Sequence, residues 1–160
     1  MDHLWSPWRY QYVTKAHKDV PCIFCHYAAS QDDEQNLVVH RGRHNFVLLN
    51  RYPYTTGHAM IAPYQHVDSL SAAPEETAHE MIVLAQRTEQ HLRGIYKPQG
   101  LNLGMNLGES AGAGIAGHIH MHVLPRWSGD TSFITTVAET RVLPEDLAVT
   151  WKKLADAFGT

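Results

Sequence analysis

No run of apolar residues in this 160-residue chain approaches the ~20 needed to cross a bilayer, which argues against a membrane protein. The basic excess of a nucleic-acid binder is missing too. Thirteen Lys and Arg face sixteen Asp and Glu, a formal net charge of −3, so no nucleic-acid or membrane-surface partner is expected. Only 18% of the residues are charged and 44% are hydrophobic, a globular composition that excludes disorder. Two cysteines are too few for a disulfide framework. Their CxxC arrangement, Cys22 and Cys25, predicts a cytoplasmic chain with a metal or redox role. The opening MDHLWSPWRYQYV lacks the apolar core of a secretory signal. There is no internal repeat, no low-complexity linker and no GK[ST] phosphate loop, so Walker-type ATPase chemistry is not supported. What the chain has in excess is histidine, twelve of them.

The length suits a single domain over 1–160: an N-terminal extension 1–20, a core 21–135 and a C-terminal helix 144–158. The extension carries Trp5, Trp8, Tyr10 and Tyr12, aromatics that need cover. Short β-rich runs at 37–40, 46–50 and 59–62 read as strands, the last two joined by the YPYTTG turn. Pro74, Glu75 and Glu76 suit a first helical turn. Apolar residues then recur at helical spacing through Ala78, Met81, Ile82, Ala85, Leu92 and Ile95, and Pro98 and Gly100 end the run. Residues 101–105 and 118–124 read as two further strands around the loop GESAGAGIAG. Leu147, Trp151, Leu154 and Phe158 share a face of the last helix. Strands in runs with helices set apart predict an α+β fold on an antiparallel sheet.

The informative segment is GHIHMHVLPRW, 117–127. In a strand, alternate side chains share a face, so His118, His120 and His122 line one face while Ile119, Met121 and Val123 anchor the other. A merely solvated polar face would rarely collect three imidazoles. Same-face neighbours stand ~6.5–7 Å apart, too far for all three to converge on one ion. Catalysis on a row of ring nitrogens remains: a neutral imidazole attacks phosphorus well, and a neighbour can assist the leaving oxygen. The glycine loop just before can bring backbone N–H groups to phosphate oxygens.

HIHMHVL resembles the signature of the histidine triad superfamily of nucleotide hydrolases and transferases. NRYPYTTGHAMIAPYQHV (50–67) resembles the family's ribose-binding strand, turn and return strand, and NLGESAGAGIAG (106–117) its phosphate loop. LWSPWRYQYV, NRYPYTTGH and HVLPRWSGDTSFIT (122–135) are more narrowly similar to bacterial diadenosine tetraphosphate phosphorylases, near the fragile-histidine-triad branch. The resemblance implies a five-stranded antiparallel sheet with one long helix and a C-terminal helix. It implies nucleotidyl transfer from a dinucleoside polyphosphate, to phosphate or water, through a covalent nucleotidyl-histidine. His120 matches the nucleophile and His122 the residue at the bridging oxygen. Asn50 matches the ribose ligand, Asn106 the amide on the α-phosphate, and His58 a histidine near the site. Gly112, Ala113 and Gly114 fall in the phosphate loop, where the family often has Gln-Ser, Gln-Thr or Gly-Ser. Here Ala113-Gly114 removes a side-chain donor and leaves the backbone N–H groups to replace it.

By itself PCIFC is compatible with zinc, a redox pair or two buried thiols. The resemblance adds His66 and His118 as partners of Cys22 and Cys25 in a four-ligand structural zinc site, which would leave His118 outside catalysis. It also implies a homodimer with the sheet continued across the two-fold axis. Three other readings stay open: a purine nucleoside phosphoramidase, against which Asn50 argues; a nucleotide-binding sensor without useful catalysis; and a zinc-stabilised interaction module. His3, His17, His26, His40, His44, His79 and His91 have no spacing that carries chemistry. Trp127 is equally at home against a base, a core or a partner.

Overall fold

A computed structural model of the protein describes residues 21–137 and 142–159; the expectation for the aromatic extension 1–20 lies outside them. Five strands, β1 (Val38–Arg41), β2 (Asn45–Leu49), β3 (Ala59–Pro63), β4 (Gly100–Met105) and β5 (Met121–Arg126), form one sheet in the order β1-β2-β3-β5-β4. Every pairing is antiparallel. Among the described residues four α-helices accompany it: α1 (Ile23–Ala29), α2 (Glu75–Tyr96), α3 (Phe133–Val137) and α4 (Leu147–Phe158). Among the described residues no helix is long and apolar enough to cross a membrane.

Every residue of β2 and β3 is buried, because the sheet is covered on both faces and both parities must then be apolar. On one face Val47, Leu49, Ile61 and Val123 meet Met81, Leu84, Ala85 and Leu92 of α2 and Leu154 and Phe158 of α4. On the other, Phe46, Leu48, Met60 and Ala62 meet Ile23, Phe24 and Tyr27 of α1. Ile82, expected inside, is 52% exposed; the buried stripe of α2 passes through Met81, Leu84 and Ala85, and Ile82 falls on the outer side. Pro74 sits one residue ahead of α2, at its N-cap. The last helix starts at Leu147 rather than 144, where the Asp146 side chain accepts from the Ala148 N–H as a capping residue does.

Two long-range clamps fix helices on the two faces of the sheet, α1 on the face of the site and α4 on the opposite one. The Arg41 guanidinium, on β1, donates to the carbonyls of Tyr27, Ala28 and Ser30 and to Asp33, so it ties down the C-terminal end of α1. At the end of α4, the Phe158 ring lies against His40, at 4.8 Å and nearly parallel, and against His91, at 4.5 Å edge-on. His91 is therefore half-buried and serves in packing.

Candidate active site

His122 pairs with Met60 on β3 and Gly104 on β4, in the middle of the sheet. The ladder of β5 begins only at Met121, later than the pattern from 118 suggests, because the Ile119 N–H bonds the Val67 carbonyl at 2.8 Å instead of a strand neighbour. The alternation nonetheless carries through. Ile119 and Val123 enter the core under α2, and Phe24 of α1, on the opposite face, touches the rings of His118 and His120 at 5.3 and 4.8 Å.

Backbone groups fix the tautomers of His120 and His58, and His58 in turn fixes that of His122. The His118 carbonyl lies 3.0 Å from His120 Nδ1. A carbonyl only accepts, so His120 Nδ1 carries the proton and its Nε2 keeps a lone pair. His58 Nδ1 accepts from the Tyr54 backbone N–H at 3.1 Å and faces the Asn50 amide nitrogen at 3.4 Å. That places the His58 proton on Nε2, from where it is donated to His122 Nδ1 at 2.9 Å. His122 is left with its own proton on Nε2. The result is a bare ring nitrogen on His120 beside an N–H donor on His122, with ring centroids 4.9 Å apart.

Both rings stay neutral in this setting. Burial pushes His120 down from the ordinary histidine range. Burial, and next the His120 imidazole, push His122 down to about 4. A neutral pair is what nucleophilic attack by one ring and hydrogen-bond donation by the other require.

Both histidines open onto a cavity of about 430 Å³, a size typical of small-molecule sites, shared with Asn50, Asn106, Gly112, Ala113 and Gly114. Asn50 accepts from the Tyr52 N–H through Oδ1. The loop bends through a 3-10 turn at Glu109–Ala111, flanked by Gly108 and Gly112 at positive φ, a conformation that favours glycine. His58 does not line the cavity; it is 1% exposed and lies behind His122 and Asn50. Sequence reasoning missed the α1 wall of this cavity, Ile23, Phe24 and Tyr27, and also Asn36, Arg51 and Tyr54. The helical spacing of Ile23 and Phe24, inside the CxxC, with Tyr27 just after it is the one available signal for that wall.

Cys22, Cys25, His66 and His118 come together as well, with their ligand atoms all within 4.8 Å of one another. A tetrahedral zinc holds sulfur and nitrogen donors about 3.3–3.8 Å apart; here Cys22 Sγ is 3.3 Å from His118 Nδ1 and Cys25 Sγ 3.2 Å from His66 Nδ1. His118 Nε2 donates to the Pro63 carbonyl at 2.9 Å, which turns the Nδ1 lone pair toward the sulfurs, an orientation typical of a metal-binding histidine. With no cation, burial and then the neighbouring Cys22 push the Cys25 thiol up. The four residues can hold a metal ion, and a divalent cation would be the natural counter-charge for the two thiolates.

The HIT domain family model matches residues 31–129. An AP-4-A phosphorylase of Mycobacterium tuberculosis is 35% identical over 166 aligned residues, 99% of this chain and 85% of that protein. A zinc-bound histidine triad family protein of Mycobacterium smegmatis superposes with a TM-score of 0.69 at 27% identity, covering 87% of this chain and 94% of that one. A HIT family member from Bacillus subtilis gives 0.62 at 28% identity, covering 86% and 96%. The matched sheet, the paired imidazoles and the family model over more than half of the sequence lead to one conclusion: the chain belongs to the HIT domain family.

Proposed function

We propose that this protein is an enzyme that cleaves dinucleoside polyphosphates, with diadenosine tetraphosphate as substrate, by nucleotidyl transfer through His120. The observation that carries the reading is the fixed tautomer pair: the bare His120 Nε2 beside the His122 Nε2–H, on the wall of a nucleotide-sized cavity. The 35% identical AP-4-A phosphorylase supports the choice of substrate.

In the first step His120 Nε2 bonds the α-phosphorus and the bond to the bridging oxygen breaks, giving adenylyl-His120 and ATP. The His120 Nδ1–H, held on the His118 carbonyl, lets the ring carry the positive charge that develops. The departing oxygen belongs to a phosphate whose second pKa is about 6, so it leaves as an anion and needs only a hydrogen bond from His122. In the second step an oxygen of inorganic phosphate, or of water, bonds the same phosphorus and the N–P bond breaks. The products are ADP or AMP, and His120 returns neutral. Asn50 holds the ribose and Asn106 the α-phosphate. The Gly112 and Ala113 N–H groups donate to the Glu109 and Gly108 carbonyls, at 2.9 and 3.3 Å, and brace the loop; the Gly114 N–H faces a nonbridging oxygen, where fixed donors lower the barrier most.

Zinc fits the Cys22, Cys25, His66 and His118 cluster. Bound there, it would staple α1 to the segment before β5 without touching the substrate. The cytoplasm, where thiols stay reduced, suits such a site. Strand β4 leaves one edge of the sheet unpaired among the described residues, with Leu103 46% exposed. An edge of that kind invites pairing, and a homodimer joined there is the assembly we propose. Anion-exchange analysis after incubation with diadenosine tetraphosphate tests the reaction. ATP plus ADP only when phosphate is present is the expected result. ATP plus AMP regardless of phosphate would make water the acceptor, and no cleavage would refute the reading.

A further inference from the structure

Beside the cavity that His120 and His122 share, a second one of about 470 Å³ opens, and Tyr54 lines both. We propose that this second cavity holds the other nucleoside of the substrate, the one that departs with the leaving group. The inference rests on the function proposed above and adds a subsite to it.

Position is the first argument. The Tyr54 ring lies 6.2 Å from that of His122 and nearly parallel to it. His122 stands at the bridging oxygen, so the far half of the substrate has to pass this residue. Tyr54 is the partition between the two cavities.

The walls are the second argument. Trp127 and Tyr96 line the cavity edge-to-face, with centroids 6.5 Å apart, and a base stacks on such rings regardless of its identity. Trp127 is held ready. Its backbone N–H donates to Asp130 at 3.2 Å, which fixes the main chain that carries the ring, and Asp130 is gripped by Arg126 at 2.6 and 2.9 Å. A wall already in place spares the ordering cost of binding.

Charge is the third. Asp130 and Glu145 line the cavity and, among the described residues, no Lys or Arg does, so a phosphate is disfavoured there and a neutral nucleoside is not. Asp130 is paired with Arg126, and Glu145 with Lys153 and the Tyr96 hydroxyl. Neither carboxylate is left to attract a cation: Asp130 accepts from Arg126 twice, from the Trp127 backbone N–H and from Thr131, whereas, among the described residues, Glu145 Oε2 accepts from Lys153 alone and keeps a lone pair for a ribose hydroxyl. The Thr56 hydroxyl lines the same cavity, buried and without a hydrogen-bond partner among the described residues. Buried polar atoms are normally satisfied, and a polar ligand would supply the partner.

The test compares kcat/KM on diadenosine tetraphosphate with kcat/KM on adenosine 5′-tetraphosphate, which offers the same α-phosphorus but no second nucleoside. The wild type should prefer the former. Trp127→Ala should lower that preference roughly 5- to 150-fold, the range seen when an aromatic is removed from under a base, and Trp127→Phe should restore most of it. The ratio guards against misfolding, since a damaged fold lowers both rates together. Turnover of both substrates with the ratio unchanged by Trp127→Ala overturns the subsite and leaves the proposed reaction standing. Turnover of neither by the wild type overturns both.

Discussion

Replacing His58 by phenylalanine removes the N–H that reaches His122 Nδ1 at 2.9 Å while filling most of the same buried volume. That hydrogen bond holds the His122 proton on Nε2, where the leaving oxygen needs it. A hydrogen bond of about 1–1.5 kcal/mol net, withdrawn from the reactive geometry, corresponds to about a five- to twelvefold loss in kcat. Removing the donor outright with His122→Ala should cost about a hundredfold or more. The two residues act in series, so the double variant should be no slower than His122→Ala alone, a strongly non-additive cycle. His58→Gln keeps an N–H donor and should recover part of the loss. The assay is the initial rate of ATP release from saturating diadenosine tetraphosphate. Full activity in His58→Phe would refute the argument, as would a double variant whose loss is the product of the two single losses.

Three further outcomes are expected. If a metal occupies the Cys22, Cys25, His66 and His118 cluster at about a hundred times its Kd, it contributes about 2.7 kcal/mol; stripping it with 1,10-phenanthroline should lower Tm by about 5–10 °C, and an unchanged Tm in protein of assayed zinc content would contradict the staple. His122 binds its proton near 6.5 when unfolded but only near 4 when folded, so the unfolded chain gains the proton first as pH falls. This ring should therefore weaken stability between about pH 6.5 and 4, read as a falling urea midpoint, while kcat/KM keeps its His122 form until pH nears 4–5; an acid limb at the ordinary histidine value would refute the burial argument. Leu103→Glu on the exposed edge of β4 should convert the proposed dimer to monomer in sedimentation velocity, and no change in mass would place the interface elsewhere.

Much of the site is legible because it is written locally. HIHMHV encodes its own alternation, and the imidazoles share a face even though the ladder starts only at Met121. The long α2 follows from its periodicity, and the C-terminal face Trp151, Leu154, Phe158 packs as its spacing implies. What escaped depends on contacts between distant parts of the chain. The α1 helix is seven residues long, too short to stand on propensity; it is held by Arg41 from β1 and by its apolar face against the sheet. No sequence pattern tells that His40 and His91 close on Phe158, or that the Tyr54 backbone N–H sets a tautomer two rings away. Ile82 shows the converse error: an apolar residue one step off the buried stripe, and exposed.

The central claim is that His120 is the nucleophile, and the comparison of wild type with His120→Ala tests it most directly. Both proteins are incubated with diadenosine tetraphosphate and phosphate, and the nucleotides are resolved by anion exchange, with circular dichroism confirming that the variant is folded. The account predicts ATP and ADP from the wild type and no product from His120→Ala. Cleavage by the folded variant at close to the wild-type rate would contradict it.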